Sequence, residues 1–126
     1  MMNKPGRTGP ARILDASKYS LKGLRAAWQH EEAFRQESTL ALIMLPAALW
    51  LGSNAGQRSI LIATVVLVVI VELINSAIEA VVDRISTDHH PLSGQAKDIG
   101  SAAVMLSLLL CLSCWGMIAV ERFLLN

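Results

Sequence analysis

The chain has 126 residues, of which 53% are apolar and only 17% carry a formal charge. A soluble domain usually carries about 25% charged residues, so the composition argues against a soluble protein and favours one small domain in a lipid bilayer. The net charge of +1 gives no indication of a nucleic-acid partner.

The N-terminal part of the chain is predicted to lie on a membrane surface. It lacks the apolar core of a signal peptide, and residues 1–11, rich in proline and glycine, are predicted to form a flexible tail. Residues 12–36 are predicted to be an amphipathic helix, because apolar residues recur at helical spacing among Arg12, Lys18, Lys22 and Arg25. Basic helices of this kind are typical of membrane surfaces. The alternative is a soluble helix that covers a core.

Three apolar segments follow and are predicted to be transmembrane helices, at about 33–52, 59–82 and 99–120. Each approaches the ~20 residues that a span needs. Pro46 is expected to kink the first span, residues 52–56 to form a turn, and residues 85–98 to form a polar loop. Cys111 and Cys114 lie within the third span and are interpreted as small buried residues.

Basic residues near the predicted spans indicate the orientation. Nine lie on one side, seven in the N-terminal segment together with Arg84 and Lys97, and two lie on the other, Arg58 and Arg122. The N-terminus and the second loop are therefore predicted to face the cytoplasm, and the C-terminus to face outward.

A stripe of polar residues enters the second span from its cytoplasmic end. Glu72, Asn75, Ser76, Glu79 and Asp83 are separated by offsets that place them on one helix face. A carboxylate inside a membrane costs at least ~2.5–3.5 kcal/mol. Hydrogen bonding between helices would explain the neutral Asn75 and Ser76. It explains two acids poorly, so the stripe predicts a functional site with a buried general base.

The polar segments on the same side of the membrane supply further candidates for this site. They are Glu31, Glu32, Arg35, Glu37, Asp88, His89, His90, Lys97 and Asp98. Carboxylates from separate helices could hold Mg²⁺, and Lys97 and Arg12 could offset phosphate charge. Each residue also has a simpler interpretation, such as a Glu31–Arg35 surface ion pair or a lysine that anchors the third span. The familiar nucleotide-binding motifs are absent from the sequence.

Several segments together resemble the bacterial diacylglycerol kinase family. The most specific is Val71–Arg84, which reads VELINSAIEAVVDR; the others are Tyr19–Ser20, Lys22–Trp28, Glu31, Ala33–Glu37, Leu92–Gly94, Ala96–Asp98 and Gly100–Ala103. The chain departs from the family pattern at Ser17, Lys18, Leu21, Asp88, His89 and Gln95.

The resemblance implies an all-α integral membrane enzyme with a surface helix and three transmembrane helices, assembled as a homotrimer with shared active sites. It implies transfer of the γ-phosphate of MgATP to diacylglycerol, which gives phosphatidic acid. Glu72 is the implied catalytic base, with Asn75 beside it, and Glu31 and Glu79 are the implied metal ligands. The implied ATP contacts are Glu31 and Glu79 with Arg12, Tyr19, Asp88, His90, Lys97 and Asp98. The implied lipid contacts are Glu72 with Arg12, Arg25, Trp28, Phe34, Arg35 and Ser101.

Two alternatives stay open from the sequence. An undecaprenol kinase would share the fold and phosphorylate a polyprenol. A small channel or transporter subunit would use its intramembrane acids for ion conduction. The second is disfavoured because residues 59–71 offer almost no polar group between Glu72 and the outer surface.

Overall fold

A computed structural model describes residues 8–85 and 87–125. Over these residues the chain forms the α-helices α1 (Pro10–His30), α2 (Glu32–Leu51), α3 (Ala55–Ile85) and α4 (Pro91–Val120), followed by a π-helical turn (Glu121–Leu125). The predicted all-α fold is therefore confirmed. Residues 1–7 of the predicted tail lie outside the described residues. Pro10, however, already begins α1, since proline suits the first helical position.

The helix predicted over residues 12–36 is divided in two at Glu31. Glu31 has an extended backbone (φ −120°, ψ 109°), and its N–H donates to Ala27 O at 2.9 Å, which ends α1. The Arg35 guanidinium of α2 donates to Trp28 O at 2.7 Å and to Gln29 O at 3.3 Å. These bonds satisfy carbonyls that the end of a helix leaves unpaired. The chain can therefore change direction between α1 and α2.

The link between α3 and α4 is shorter than the predicted loop over residues 85–98. His90 caps α4, because its Nδ1 accepts a hydrogen bond from Leu92 N at 3.1 Å, and Pro91 occupies the first helical position. Residues 91–98 are helical, so the loop prediction was wrong for them. The proline and glycine of this segment had suggested a loop, but Gly94 lies inside the helix.

Helix α3 is the centre of the molecule and packs most extensively against α4 and then α2. Two buried clusters join the three helices. One contains Ala41, Val65, Val68 and Cys111, and the other contains Ala48, Leu51, Leu61 and Ile118. Cys111 is a free, buried thiol, as the sequence interpretation expected.

Two helices are long and apolar enough to cross a membrane: α3, and α4 together with the terminal turn (Pro91–Leu125). Only 39% and 17% of their most apolar windows are buried within the chain, whereas the core helices of a soluble protein are mostly buried. Helix α2 does not meet the same criterion. Its first turns carry Glu32, Arg35 and Glu37, and its role as a third span stays a prediction.

Candidate functional site

Three acidic residues meet where the α1–α2 junction faces α3. Glu72 and Glu79 lie seven residues apart on one face of α3, which is roughly 10 Å along the axis. Glu72 is only 5% exposed, and Glu79 is half-buried. Glu31, at the junction between α1 and α2, lies close enough to this face for the charges of Glu72 and Glu79 to act on it. Three of the acids named from the sequence are thus neighbours, and their role in a site stays a prediction.

The surroundings of Glu31 favour its neutral form. Its pKa is raised above the ordinary value of 4.5, first by burial and then by the negative charges of Glu79, Glu72 and Asp83; His30 acts in the opposite direction. A bound cation would offset this excess of negative charge.

The carboxylates fit a magnesium ion that arrives with phosphate ligands. Among residues 8–85 and 87–125, no three His, Cys, Asp or Glu side chains form a ready-made metal cage. Mg²⁺ usually takes only one or two protein carboxylates, with water and substrate phosphates in its other positions. Glu31 and Glu79 would supply such a pair.

The structure pairs Glu72 with Glu37, which the sequence marked only as one of several candidates for the site. The carboxyl of Glu37, from α2, shares a hydrogen bond with the carboxyl of Glu72. An ionised carboxylate can only accept, so one member of the pair must carry a proton. The second oxygen of Glu37, Oε2, is buried without a hydrogen-bond partner in the described structure.

Apolar groups surround the Glu37 end of this pair. A small cavity of 50 Å³ lies beside Glu37, and its other lining residues are Leu40, Ala41, Met44, Val65, Val68, Leu108 and Cys111. In the sequence, Glu37 was one of several candidate polar residues near the site and the last residue of the family-like segment Ala33–Glu37. No sequence spacing could have placed it against α3.

Asn75 lies between the two glutamates of α3 and is 8% exposed. Its Oδ1 and the Ser76 Oγ are buried without hydrogen-bond partners among the described residues. Among residues 8–85 and 87–125, these two oxygen atoms therefore do not join helices by hydrogen bonds.

A groove of 570 Å³ lies between α1 and α3, next to the acids. Glu31 and His30 lie at its polar end, and its wall includes Leu24, Ala27, Leu73 and Ala77. The residues that the sequence assigned to the lipid lie outside the described lining of this groove: most are on α1 and α2, Glu72 is on α3, and Ser101 is on α4. Trp28 is 47% exposed and Phe34 only 4%. Arg35 is occupied with the end of α1, and Arg12, Arg25 and Ser101 are exposed on their helices.

A second cavity, of 440 Å³, lies at the α3–α4 link. Three of the predicted ATP contacts line it, namely Asp88, His90 and Lys97, together with Asp83 and His89. Lys97 Nζ forms an ion pair with Asp83 Oδ1 at 2.8 Å. His90 uses Nδ1 to cap α4, so a nucleotide contact from its ring would use Nε2. Arg12, Tyr19 and Asp98 are placed outside the described lining of this cavity.

Known proteins match nearly the whole chain. The family model described as "Prokaryotic diacylglycerol kinase" matches residues 18–119. The diacylglycerol kinase of Escherichia coli (strain K12) is 51% identical over 116 residues, which cover 92% of this chain and 95% of the relative. The diacylglycerol kinase of Pseudomonas aeruginosa is 49% identical, covering 90% and 92%. That of Helicobacter pylori (strain ATCC 700392 / 26695) is 40% identical, covering 95% and 94%. The resemblance drawn from the sequence is confirmed: the chain belongs to the prokaryotic diacylglycerol kinase family.

Proposed function

We propose that this chain, as a diacylglycerol kinase, transfers the γ-phosphate of ATP to the free hydroxyl of diacylglycerol and forms phosphatidic acid at the membrane surface. The observation that carries the mechanism is the position of Glu72. It is a buried carboxyl at the inner end of an acidic face, beside two further carboxylates that suit a metal–phosphate complex. A lipid hydroxyl could meet this carboxyl without leaving the membrane.

In the proposed mechanism Glu72 is the general base. It accepts the proton of the lipid hydroxyl as the hydroxyl oxygen attacks the γ-phosphorus and the bond to the β-phosphate oxygen breaks. The hydrogen bond from Glu37 orients the Glu72 carboxyl for this step. After the transfer both carboxyls carry a proton.

Glu31 and Glu79 are proposed to hold Mg²⁺ as it arrives with ATP. The ion would neutralise charge on the β- and γ-phosphates during the transfer. The two carboxylates would fix the position of the phosphates, along the axis of α3, relative to Glu72. Asn75, between the metal ligands and the base, would support the reacting groups.

The α3–α4 link is proposed to bind the rest of the nucleotide, through Asp88, His90, Lys97 and Asp98, with Arg12 and Tyr19 approaching from α1. Lys97 would exchange Asp83 for a phosphate oxygen. Both side chains of this pair are well exposed, at 43% and 61%. An exposed ion pair contributes little to stability, so the exchange would cost little.

The groove between α1 and α3 is proposed to hold the glycerol backbone and upper acyl chains of the lipid. Its apolar wall suits acyl chains, and its polar end suits the hydroxyl. Arg12, Arg25, Trp28, Phe34, Arg35 and Ser101 would surround the lipid. The proposed assembly is a homotrimer with shared active sites in the bacterial inner membrane, with the N-terminus in the cytoplasm.

The test is phosphate transfer in detergent micelles. Purified protein receives radiolabelled ATP and Mg²⁺, with diacylglycerol or undecaprenol in parallel tubes. The expected product is labelled phosphatidic acid. Label only in the polyprenol would show that the substrate is a polyprenol and would leave the proposed role of Glu72 unchanged. Label in neither lipid would contradict the kinase mechanism.

Glu72→Gln tests the role of the base in the same assay. It should lower kcat about 10²- to 10⁴-fold, the usual contribution of general base catalysis, and leave ATP binding and the helical circular dichroism unchanged. Glu32→Gln is the matched control, because Glu32 is exposed on the first turn of α2. Full turnover by Glu72→Gln would remove Glu72 as the base.

A further inference from the structure

Gly100 of α4 lies directly against the side chain of Asn75 of α3. A Cβ atom built at position 100 would overlap Asn75 Oδ1 and would lie 3.2 Å from Asn75 Cγ and 4.0 Å from Asn75 Cβ. The Asn75 amide therefore occupies the space that any side chain at position 100 would need. Gly100 is buried as well, so solvent cannot take up the displaced group.

The need for a residue without a side chain is particular to position 100 of α4. At Gly94 and Gly116, on the same helix, an added Cβ would meet nothing within 4 Å in the described structure. Glycine is among the weakest helix formers, so the helix alone gives no reason to prefer it at position 100. The contact with Asn75 does give a reason.

The Asn75 amide is held at the centre of the proposed site. Asn75 follows Glu72 by three residues and precedes Glu79 by four, so its side chain lies on the same face of α3 as both. The structure could accommodate a methyl group at position 100 in two ways. The amide could turn away from α4 toward the glutamates, or α3 could move away from α4 toward α2. The first response would crowd the glutamates, and the second would change the position of Glu72 relative to Glu31 and Glu37, which lie outside α3.

We propose that Gly100 is a positioning residue for phosphoryl transfer. Its lack of a side chain leaves the space on α4 that the Asn75 amide occupies, and this packing sets the position of α3, with Glu72, relative to Glu31 and Glu37. This inference rests on the proposed function, because it concerns the same site. It adds a residue that touches neither substrate, so its effect is expected on the rate of transfer more than on binding.

The test compares Gly100→Ala with Gly116→Ala, which adds the same methyl group to an open position of the same helix. We would measure kcat and the KM values for MgATP and diacylglycerol, per folded protein. Gly100→Ala should lower kcat at least tenfold and leave both KM values within about twofold, since a misplacement of about 1 Å can cost about a hundredfold in rate. Gly116→Ala should match the parent chain. Equal kcat for the two variants would overturn the inference.

A second comparison covers the case in which Gly100→Ala lowers the yield of folded protein. In an Asn75→Ala background no amide meets the added methyl group. Gly100→Ala should then cause no further loss of kcat or of thermal stability, so the two substitutions should be strongly non-additive. An equal loss with and without Asn75 would show that the contact does not act through the amide and would overturn the inference. Failure of the parent chain itself to phosphorylate lipid would instead contradict the proposed function.

Discussion

At the scale of single residues, we expect the hydrogen bond between Glu37 and Glu72 to orient the carboxyl of the proposed base. Glu37→Gln keeps a donor beside Glu72, whereas Glu37→Leu keeps similar bulk and removes the donor. A hydrogen bond to a charged group contributes ~1.5–3 kcal/mol. We therefore expect kcat to fall roughly tenfold to a hundredfold in Glu37→Leu and clearly less in Glu37→Gln, measured as phosphate transfer in micelles.

The control for this comparison is Glu32→Leu, an equivalent change at an exposed position of the same helix. It should leave kcat unchanged. If Glu37→Gln and Glu37→Leu lost the same activity, the hydrogen bond would not be the property that matters. Glu37 would then act through packing or through contact with the lipid.

The raised pKa of Glu31 predicts how magnesium use depends on pH. Only the ionised carboxylate binds the metal, so the apparent affinity for Mg²⁺ should weaken as pH falls through the Glu31 pKa. Because burial and three neighbouring acids raise that pKa, this loss should begin at a higher pH than the ordinary value of 4.5 implies. The measurement is a Mg²⁺ titration of turnover at a series of pH values.

Two variants separate the contribution of Glu31 to the pH dependence of Mg²⁺ use from the contribution of ATP, which itself titrates. Glu31→Gln should weaken Mg²⁺ use at high pH and should remove the part of the pH dependence that belongs to Glu31. Glu32→Gln should retain the parent profile. A parent-like profile in Glu31→Gln would count against Glu31 as a metal ligand.

Some residues of the site were predictable from the sequence, and others were not, for a physical reason. Helical spacing alone places Glu72, Asn75 and Glu79 on one face, and the cost of burying acids marks that face as functional. Glu37 and Gly100 belong to other helices. Their roles depend on how α2 and α4 approach α3, and no local pattern encodes that approach.

At the scale of the elements, Arg35 connects α1 and α2 across the break at Glu31. Its guanidinium donates to two carbonyls at the end of α1. In Arg35→Ala these carbonyls lose a charged donor, so the last turn of α1 should open more often. We expect amide hydrogens near residues 27–31 to exchange about ten- to a hundredfold faster, in line with ~1.5–3 kcal/mol for such bonds.

The matched control is Lys18→Ala, which removes a positive charge from an exposed position of α1. It should leave exchange at residues 27–31 unchanged. Unaltered exchange in Arg35→Ala would mean that the α1–α2 junction is held by packing alone. In that case Phe34, which is buried, would be the residue to examine next.

The elements themselves were predicted better than their ends. Apolar periodicity and length located all four helices, but the periodicity continues through residues 30–32 and hides the break between α1 and α2. The break depends on a side chain that reaches back seven residues, from Arg35 to Trp28. The α4 start was missed because glycine and proline usually mark loops, whereas here Pro91 opens the helix and Gly94 continues it.

At the scale of the whole molecule, the apolar surface is far larger than one soluble chain would expose. Large apolar side chains on every helix are more than half exposed, including Leu42, Leu112 and Met117. Lipid and neighbouring copies are the two environments that could cover them. The family membership confirms the lipid kinase predicted from the sequence, whereas the homotrimer stays a prediction.

The distribution of basic residues predicts the orientation of the molecule in the membrane. With nine such residues on the side of the proposed site and two on the other, the α3–α4 link should be cytoplasmic and the α2–α3 link external. The test uses Ser53→Cys or Thr87→Cys in a chain whose two native cysteines are alanine; both positions are exposed. A membrane-impermeant maleimide should label Cys at position 53 in intact spheroplasts, and Cys at position 87 only after permeabilisation. The reverse pattern would place Glu31, Glu79 and Lys97 outside the cell, where ATP is scarce, and would contradict both the orientation and the proposed donor.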